Sequence, residues 1–455
     1  MGTSGMPAPA ASGSWRESTA RLLWHAHPAR PGPEYAFLRE SEWWPHERLV
    51  DLQLAALRQL VGAADRVPFH HERFAAARIR ADDLRTIDDL ARLPILERDD
   101  LVRLGVEGMR TPGSWGLRAR SSGSLGKPVE FLWPLSQMRW LDAGEARARS
   151  WFGSGIGERR VEVRCRPVGP AQAISAAILN TSALHAPSVA DPAVLHRLAR
   201  SIERRPPSMV WGVSNTLYAV ALALLDHGTR VRVGSCVSGG NHLHPHYRHA
   251  MEEAFGCRVF ERYATMETGV VAHECPEAGS LHVPAEGLIV EIVAPDGTPV
   301  AAGETGDVLV TALRNRATPL IRYRVGDRAI APPRPQCACG RGLPVFGAVA
   351  GRSNDFLRAS TGARIGPRQV VDAVRPGLDG SVVDIQVVQD SQSRLLARVV
   401  QRASPRQEAD RARIAAILHD LVRPPVPPRV ERVERIDLTP GGKLRTIVSQ
   451  MADRA

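Results

Sequence analysis

Two lysines stand apart in a chain that otherwise carries its positive charge on arginine. Of 59 basic residues only Lys127 and Lys443 are lysine. A guanidinium is a wide planar fork, whereas an ammonium is a compact point charge that fits among phosphate oxygens in a tight loop. Both lysines lie in glycine-bearing segments. Around the first, Arg120-Ser121-Ser122-Gly123-Ser124-Leu125-Gly126-Lys127-Pro128 combines hydroxyls, two glycines and a lysine. Backbone N–H groups and hydroxyls of such a loop surround phosphate oxygens while the ammonium offsets their charge. This is not a Walker loop, which has four residues between its glycines and Ser or Thr after the lysine; here there are two, and Pro128 follows. A P-loop kinase or ATPase is therefore disfavoured, and a surface turn of the same composition is the plain alternative.

A second cluster of chemically capable side chains is Cys275 and His282 together with Cys337 and Cys339. Three thiols and an imidazole from two loops suffice for a closed tetrahedral metal site, with His273 competing for the fourth position. Free thiols beside a surface histidine are the alternative. Six cysteines in 455 residues are too few for the disulfide framework of a small secreted domain. Cys165, Cys236 and Cys257 read as small apolar core residues.

The elements that must position these groups follow from the hydrophobic pattern. A chain of this length exceeds one hydrophobic core, so at least two domains are expected. Residues 1–40, rich in Ala, Gly, Pro and Ser, read as a partly disordered, mobile leader. Apolar residues recur at helical spacing from Glu47 to Gly62, and the segment around Pro94 reads as two short helices. From about 116 to 350, short apolar runs alternate with helical stretches, the pattern of an α/β domain whose sheet ends carry the site. LIVEIV and GDVLVTAL, joined through the turn Pro295-Asp296-Gly297, are predicted strands closing this unit. After Gly351-Arg352 a smaller α+β unit begins. Its predicted parts are the strands VVDIQVVQD, LLARVVQ and VERVERIDL with a helix from Pro405 to Leu421.

Composition excludes several classes. Hydrophobic residues at 44% and charged residues at 24% are ordinary for a globular protein. No apolar run reaches the length of a membrane span and no signal segment opens the chain, so cytoplasmic residence without a membrane is expected. The net charge of +11 is spread along the sequence and broken by acids, as in Glu158-Arg159-Arg160-Val161-Glu162, which argues against nucleic acid as partner.

The glycine loop resembles the Ser/Thr-Ser-Gly-Ser/Thr-Thr-Gly-Lys-Pro signature of the adenylate-forming ligases, and five further segments follow in that superfamily's order. Tyr263-Ala264-Thr265-Met266-Glu267 is similar to its Tyr-Gly-x-x-Glu, in which the tyrosine stacks on adenine and the glutamate holds magnesium; Ala264 stands where glycine is usual. Ser238-Gly239-Gly240-Asn241 matches the bend around adenine. Ile321-Arg322-Tyr323-Arg324-Val325-Gly326-Asp327 resembles Tyr-Arg-x-Gly-Asp, whose aspartate accepts from the ribose hydroxyls. Gly351-Arg352-Ser353-Asn354-Asp355 resembles the Gly-Arg-x-Asp-Asp pivot, with Asn354 in place of the first acid, and Leu438-Thr439-Pro440-Gly441-Gly442-Lys443 the segment of the catalytic lysine.

Over residues 40–455 the resemblance is to the phenylacetate-CoA ligase branch. It implies a large multi-subdomain N-terminal adenylation domain, residues 41–351, and a small mobile C-terminal α+β lid, residues 352–455, carrying Lys443. It further implies ATP with Mg2+, the latter on Glu267, and nucleotide contacts from Ser121, Ser122, Gly123, Ser124, Gly126, Lys127, Gly239, Gly240, Asn241, Tyr263, Ala264, Thr265, Met266, Asp327 and Arg352. A subset of similar proteins carries a Cys/His set binding structural Zn2+, which the resemblance places on Cys275, His282, Cys337 and Cys339. The implied reaction joins a carboxylic acid, in this branch an aromatic one, to AMP and then to the thiol of coenzyme A. An amine or a carrier protein as acceptor, or a silent member of the superfamily, is the alternative. Trp211, Tyr218 and the segment from Val213 to Leu217 are candidates for an acyl pocket and equally good core.

Overall fold

Buried β-branched and small apolar residues recur along five segments that join one sheet: Val161 and Val163, Val210, Cys236 and Val237, Val259, and Val271 with Ala272. The computed structural model describes residues 32–121, 128–164, 169, 173–174, 176–177, 179–185, 192–353, 355–376, 378, 381–439 and 444–451. The central sheet has eight strands. Thr181–His185, Arg160–Arg164, Met209–Val213, Ser235–Gly239 and Val259–Thr265 run side by side in parallel. Gly269–Glu274, Leu281–His282 and Val345–Phe346 continue the sheet antiparallel. Helices Ser214–Asp226 and Pro245–Phe255 cover one face, burying Leu217, Val220, Leu224, Met251 and Phe255 against it. The parallel strands end on one rim, where Val213 stands beside Gly239 and Gly239 beside Arg262. This is the α/β class expected from the pattern, and the rim is where open α/β sheets bind ligands.

A second, antiparallel sheet of four strands packs on the first. Its order is Leu288–Val293, Thr305–Ala312, Tyr323–Ile330, Ala348–Arg352. Val308, Val310 and Tyr323 share a core with Tyr263, Val271 and Phe346 of the central sheet. The turn at Pro295-Asp296-Gly297 forms as expected, with Asp296 Oδ1 accepting from the Thr298 N–H at 3.0 Å. Helix His46–Ala64 follows its apolar spacing. Leu49, Ala56, Leu57, Leu60, Val61 and Ala64 form its buried stripe, and most of them meet Leu313 and Ile321.

The reading of residues 1–40 as a mobile leader fails for 32–40. Helix Gly32–Ser41 buries Leu38, and Ser41 donates to Glu286 Oε1 at 2.6 Å. Arg147 reaches both the Leu38 carbonyl and, as a fully buried ion pair, Glu286 at 2.6 Å. The Ala/Pro composition hid this short helix because one leucine and a serine anchor it rather than a long apolar stripe.

The C-terminal sheet has the order Arg429–Val433, Leu395–Gln401, Val382–Gln389, Ile447–Ser449, with helices Pro367–Val374 and Gln407–Val422. Its core, including Val370, Val387, Val399, Ile414, Leu418 and Ile447, draws only on residues from Leu357 to Ile447. Among the described residues no helix is long and apolar enough to cross a membrane.

Candidate active site

The glycine loop springs from a hairpin. Strands Leu117–Arg120 and Glu130–Trp133 pair antiparallel, Arg120 opposite Glu130. The next rung is made by Ser121, whose N–H donates to the Val129 carbonyl at 2.9 Å and whose Oγ accepts the Val129 N–H at 3.0 Å. Ser121 thus clasps the base of the loop. Ser122, Gly123, Ser124, Gly126 and Lys127 lie outside the described residues, as do Asn354 and Lys443.

Strand Val259–Thr265 delivers the next group. The register shifts between Tyr263 and Ala264, where Val271 of the neighbouring strand Gly269–Glu274 is the extra, bulged residue, a device that re-aims side chains beside sites. Beyond it the Thr265 and Thr268 hydroxyls meet at 2.8 Å, leaving Met266 exposed and Glu267 buried. Glu267 Oε1 faces Arg98 Nη1 at 3.3 Å and accepts from the Tyr323 hydroxyl at 3.5 Å. Arg98 Nη2 extends to Ser121 Oγ at 3.4 Å. A carboxylate, a guanidinium and the serine at the loop base therefore meet on the rim. Burial holds the Tyr323 phenol well above its usual pKa, so it stays a donor.

The predicted adenine and ribose groups also converge. The buried Tyr263 donates to Asp327 Oδ2 at 2.8 Å, and one face of its ring stacks on Phe346 at 5.2 Å. Asp327 is cross-strand partner to Arg352, whose Nε lies 3.6 Å from Asp327 Oδ1. Gly239 is required where it stands, since a Cβ there would meet the Arg262 carbonyl at 2.8 Å, and Gly240 adopts φ +79°, which favours glycine. Asn241 ties this bend to the end of the chain: with its amide turned by 180°, the oxygen accepts the Leu444 N–H at 2.9 Å. Leu444 is the residue after Lys443. Arg445 donates from Nε to Asp355 Oδ1 at 3.1 Å, joining the same segment to the predicted pivot. Burial pushes the Asp355 carboxyl up, against the pull of Arg445 and Arg352.

The four candidate metal ligands come together as well. The ligand atoms of Cys275, His282, Cys337 and Cys339 all lie within 4.8 Å of one another. Cys275 and Cys337 sulfurs are 4.0 Å apart, and Cys339 Sγ is 3.3 Å from His282 Nε2. Tetrahedral zinc with bonds of about 2.3 Å to sulfur sets ligand atoms roughly 3.7 Å apart, so this donor set fits the ion. His282 Nδ1 lies 3.2 Å from the Leu343 carbonyl, which fixes the tautomer that leaves Nε2 for a metal. His273, the rival ligand, is instead engaged by Glu145 at 3.5 Å. Trp151 stands edge-on to both imidazoles, at 6.0 Å from His282 and 6.5 Å from His273.

Reasoning from sequence missed Arg98, one arginine among many, and the part played by Tyr323, which it quoted only as part of a motif. Tyr218 stacks on Tyr247 at 4.1 Å and Leu217 is fully buried, so these two acyl-pocket candidates serve the core. Trp211 packs with the cluster of Phe152 and Phe260. Cys236 is buried in the core and Cys257 packs against it, while Cys165 lies outside the described residues.

A scan against protein-family profiles matches none. Among curated proteins the chain is similar to the phenylacetate-coenzyme A ligase of Thermus thermophilus, 26% identical over 77% of this chain and 80% of that one. The Escherichia coli ligase of the same name is 26% identical over 72% and 76%, and protein CapK of Staphylococcus aureus 23% over 80% and 81%. Among solved structures the fold matches a 2-hydroxyisobutyryl-CoA ligase in its postadenylation state, with TM-score 0.74 and 18% identity, over 90% of this chain and 92% of that one. An anthranilate CoA ligase matches with TM-score 0.51 and 19% identity over 72% and 64%.

Proposed function

From a chain related to the phenylacetate-CoA ligases and built on the adenylate-forming fold, we propose that it activates a carboxylic acid with ATP as the acyl-adenylate, releases pyrophosphate, and transfers the acyl group to the thiol of coenzyme A. One observation supports this most. Glu267 with Arg98, Tyr263 with Asp327, and Leu444 against Asn241 meet on a single rim although they come from distant parts of the sequence.

In this reading the acid's carboxylate attacks the α-phosphorus and pyrophosphate leaves. Asp327 accepts from the ribose hydroxyls, and its bonds to Tyr263 and Arg352 hold it in place beforehand. Ser121 anchors the glycine loop whose hydroxyls and Lys127 take the departing phosphates. Lys443, next to Leu444, brings an ammonium toward the bridging oxygen, where negative charge grows as pyrophosphate departs. Magnesium, when bound, neutralises phosphate charge, and Glu267 is the carboxylate that holds it. Residues 352–455 act as a lid pivoting at Asn354, which opens the acyl-adenylate to the thiol. Zinc on Cys275, His282, Cys337 and Cys339 is structural, since all four positions are filled by protein. The acid is an aromatic one in this reading.

The test is ATP–pyrophosphate exchange over aryl, fatty and amino acids with coenzyme A withheld, for the wild type and Lys443→Ala. Acid-dependent exchange that the variant loses, followed by thioester on adding coenzyme A, is the expected result. A folded wild type that binds ATP and exchanges with no acid overturns the reading.

A further inference from the structure

We propose that Arg98 is a phosphate-binding residue of this site that exchanges partners, holding Glu267 in the free protein and moving onto the departing pyrophosphate once metal and nucleotide enter. The proposal rests on the adenylating activity inferred above.

The position of Arg98 is set by the fold rather than by the accident of a surface side chain. The buried Leu96 is stitched into the second sheet, its N–H donating to the Arg322 carbonyl at 3.2 Å and its own carbonyl accepting the Arg324 N–H at 3.0 Å. Asp100 accepts the Glu97 N–H at 3.2 Å, so helix Arg98–Met109 starts where the strand Tyr323–Ile330 passes. That fixes the guanidinium between two groups: the carboxylate assigned to magnesium and the serine at the base of the phosphate loop.

The contacts are also of the kind that can be exchanged. Charge-assisted bonds from a guanidinium to a carboxylate lie near 2.7–2.9 Å, whereas the contact of Arg98 with Glu267 is 3.3 Å. Glu267 is nearly excluded from water, so its charge needs a cation at hand. A divalent ion arriving on Glu267 removes that need and repels the guanidinium, whose fork is shaped for phosphate. The neighbouring arginines have other tasks: Arg352 faces Asp327, and Arg324 bridges Glu97 and Asp307.

Arg98→Ala, Arg98→Lys and wild type are compared by calorimetry with ATP and with pyrophosphate, each in excess chelator and in excess Mg2+, and by the Mg2+ dependence of pyrophosphate exchange. Loss of a charged phosphate contact is expected to weaken pyrophosphate and ATP about tenfold or more in Arg98→Ala in excess Mg2+, and less in excess chelator, where Glu267 keeps the guanidinium. The same variant is expected to need less Mg2+ for half-maximal exchange, because Glu267 no longer has a resident cation, while its maximal rate falls. Arg98→Lys, with charge but no fork, restores part of the pyrophosphate affinity. A folded Arg98→Ala with unchanged affinities in excess Mg2+ and unchanged Mg2+ dependence overturns the proposal while leaving the adenylation reading intact; if Arg98→Ala does not fold, the same comparison on Arg98→Lys decides. A folded wild type that binds neither ATP nor pyrophosphate overturns both.

Discussion

The proposed reaction gives Glu267 and Asp327 different work, and single-atom changes separate them. Glu267→Gln keeps the shape and the bond from Tyr323 but removes the charge a hard cation needs. Exchange is expected to fall on the order of a hundredfold with the melting temperature within a few degrees of wild type, read by kinetics and calorimetry on the same preparation. Tyr263→Phe deletes only the donor to Asp327, a neutral-to-charged bond worth about 1–3 kcal/mol in its buried setting. The expected effect is a several-fold rise in KM for ATP with kcat nearly kept, since the ribose acceptor loses orientation and the reacting atoms lose nothing. At this scale the sequence was legible wherever chemistry restricts residue type: Tyr263 and Asp327, and the Cys/His set, come together from distant segments. It was illegible where type carries no information. Arg98 is one of many arginines, and the choice of His282 over His273 depends on Glu145, on the helix Leu135–Trp151 far from both in sequence.

At the scale of elements, Arg322 is the residue on which the second sheet hangs. It takes up a left-handed φ of 49° and is almost fully buried. Its guanidinium pairs with Glu291 at 2.9 Å and donates to the carbonyls of Ala91, Leu93 and Gly297. One side chain therefore fastens the 3₁₀ turn Ile87–Arg92 and the hairpin at Gly297 to the strand before Tyr323. Arg322→Ala strands a partly buried carboxylate and three carbonyls, and a loss of about 3 kcal/mol is expected in denaturant unfolding. Arg324, partly exposed, is expected to cost much less when replaced. Strand and helix existence was readable from period and turn residues, as in the segment LIVEIV through GDVLVTAL. Sheet order was not, because the antiparallel extension through Leu281–His282 and Val345–Phe346 joins residues far apart in sequence. Each of these strands is too short to show a pattern.

For the whole molecule, polar contacts among the described residues join the C-terminal unit to the rest. Tyr247 donates to Asp384, Arg402 pairs with Asp226 at 2.6 Å, and Leu444 meets Asn241. Burial lifts the Asp384 carboxyl from 3.8 to about 6, even with Tyr247 donating to it and Arg375 near. A carboxyl raised in the folded state supports folding only while protonated, so its contribution is lost as pH climbs from about 4 to 6. Asp384→Asn is thus expected to stabilise the chain by roughly 2 kcal/mol at pH 8 and not at pH 4, read from melting curves at the two pH values. Removing a metal from the Cys/His cluster is expected to lower the melting temperature by several degrees, with Cys275→Ser doing the same and abolishing metal content by elemental analysis. Trp151 gives that cluster a further property. Its indole N–H donates to Glu42 at 2.7 Å, its face meets Arg341, and its edge meets His282. The turn after the amino-terminal helix and the ligand loops are thus tied through one side chain and are expected to open as one unit. A metal bound there leaves at the frequency with which that unit opens, so release to a chelator reaches a plateau rate that adding more chelator does not raise.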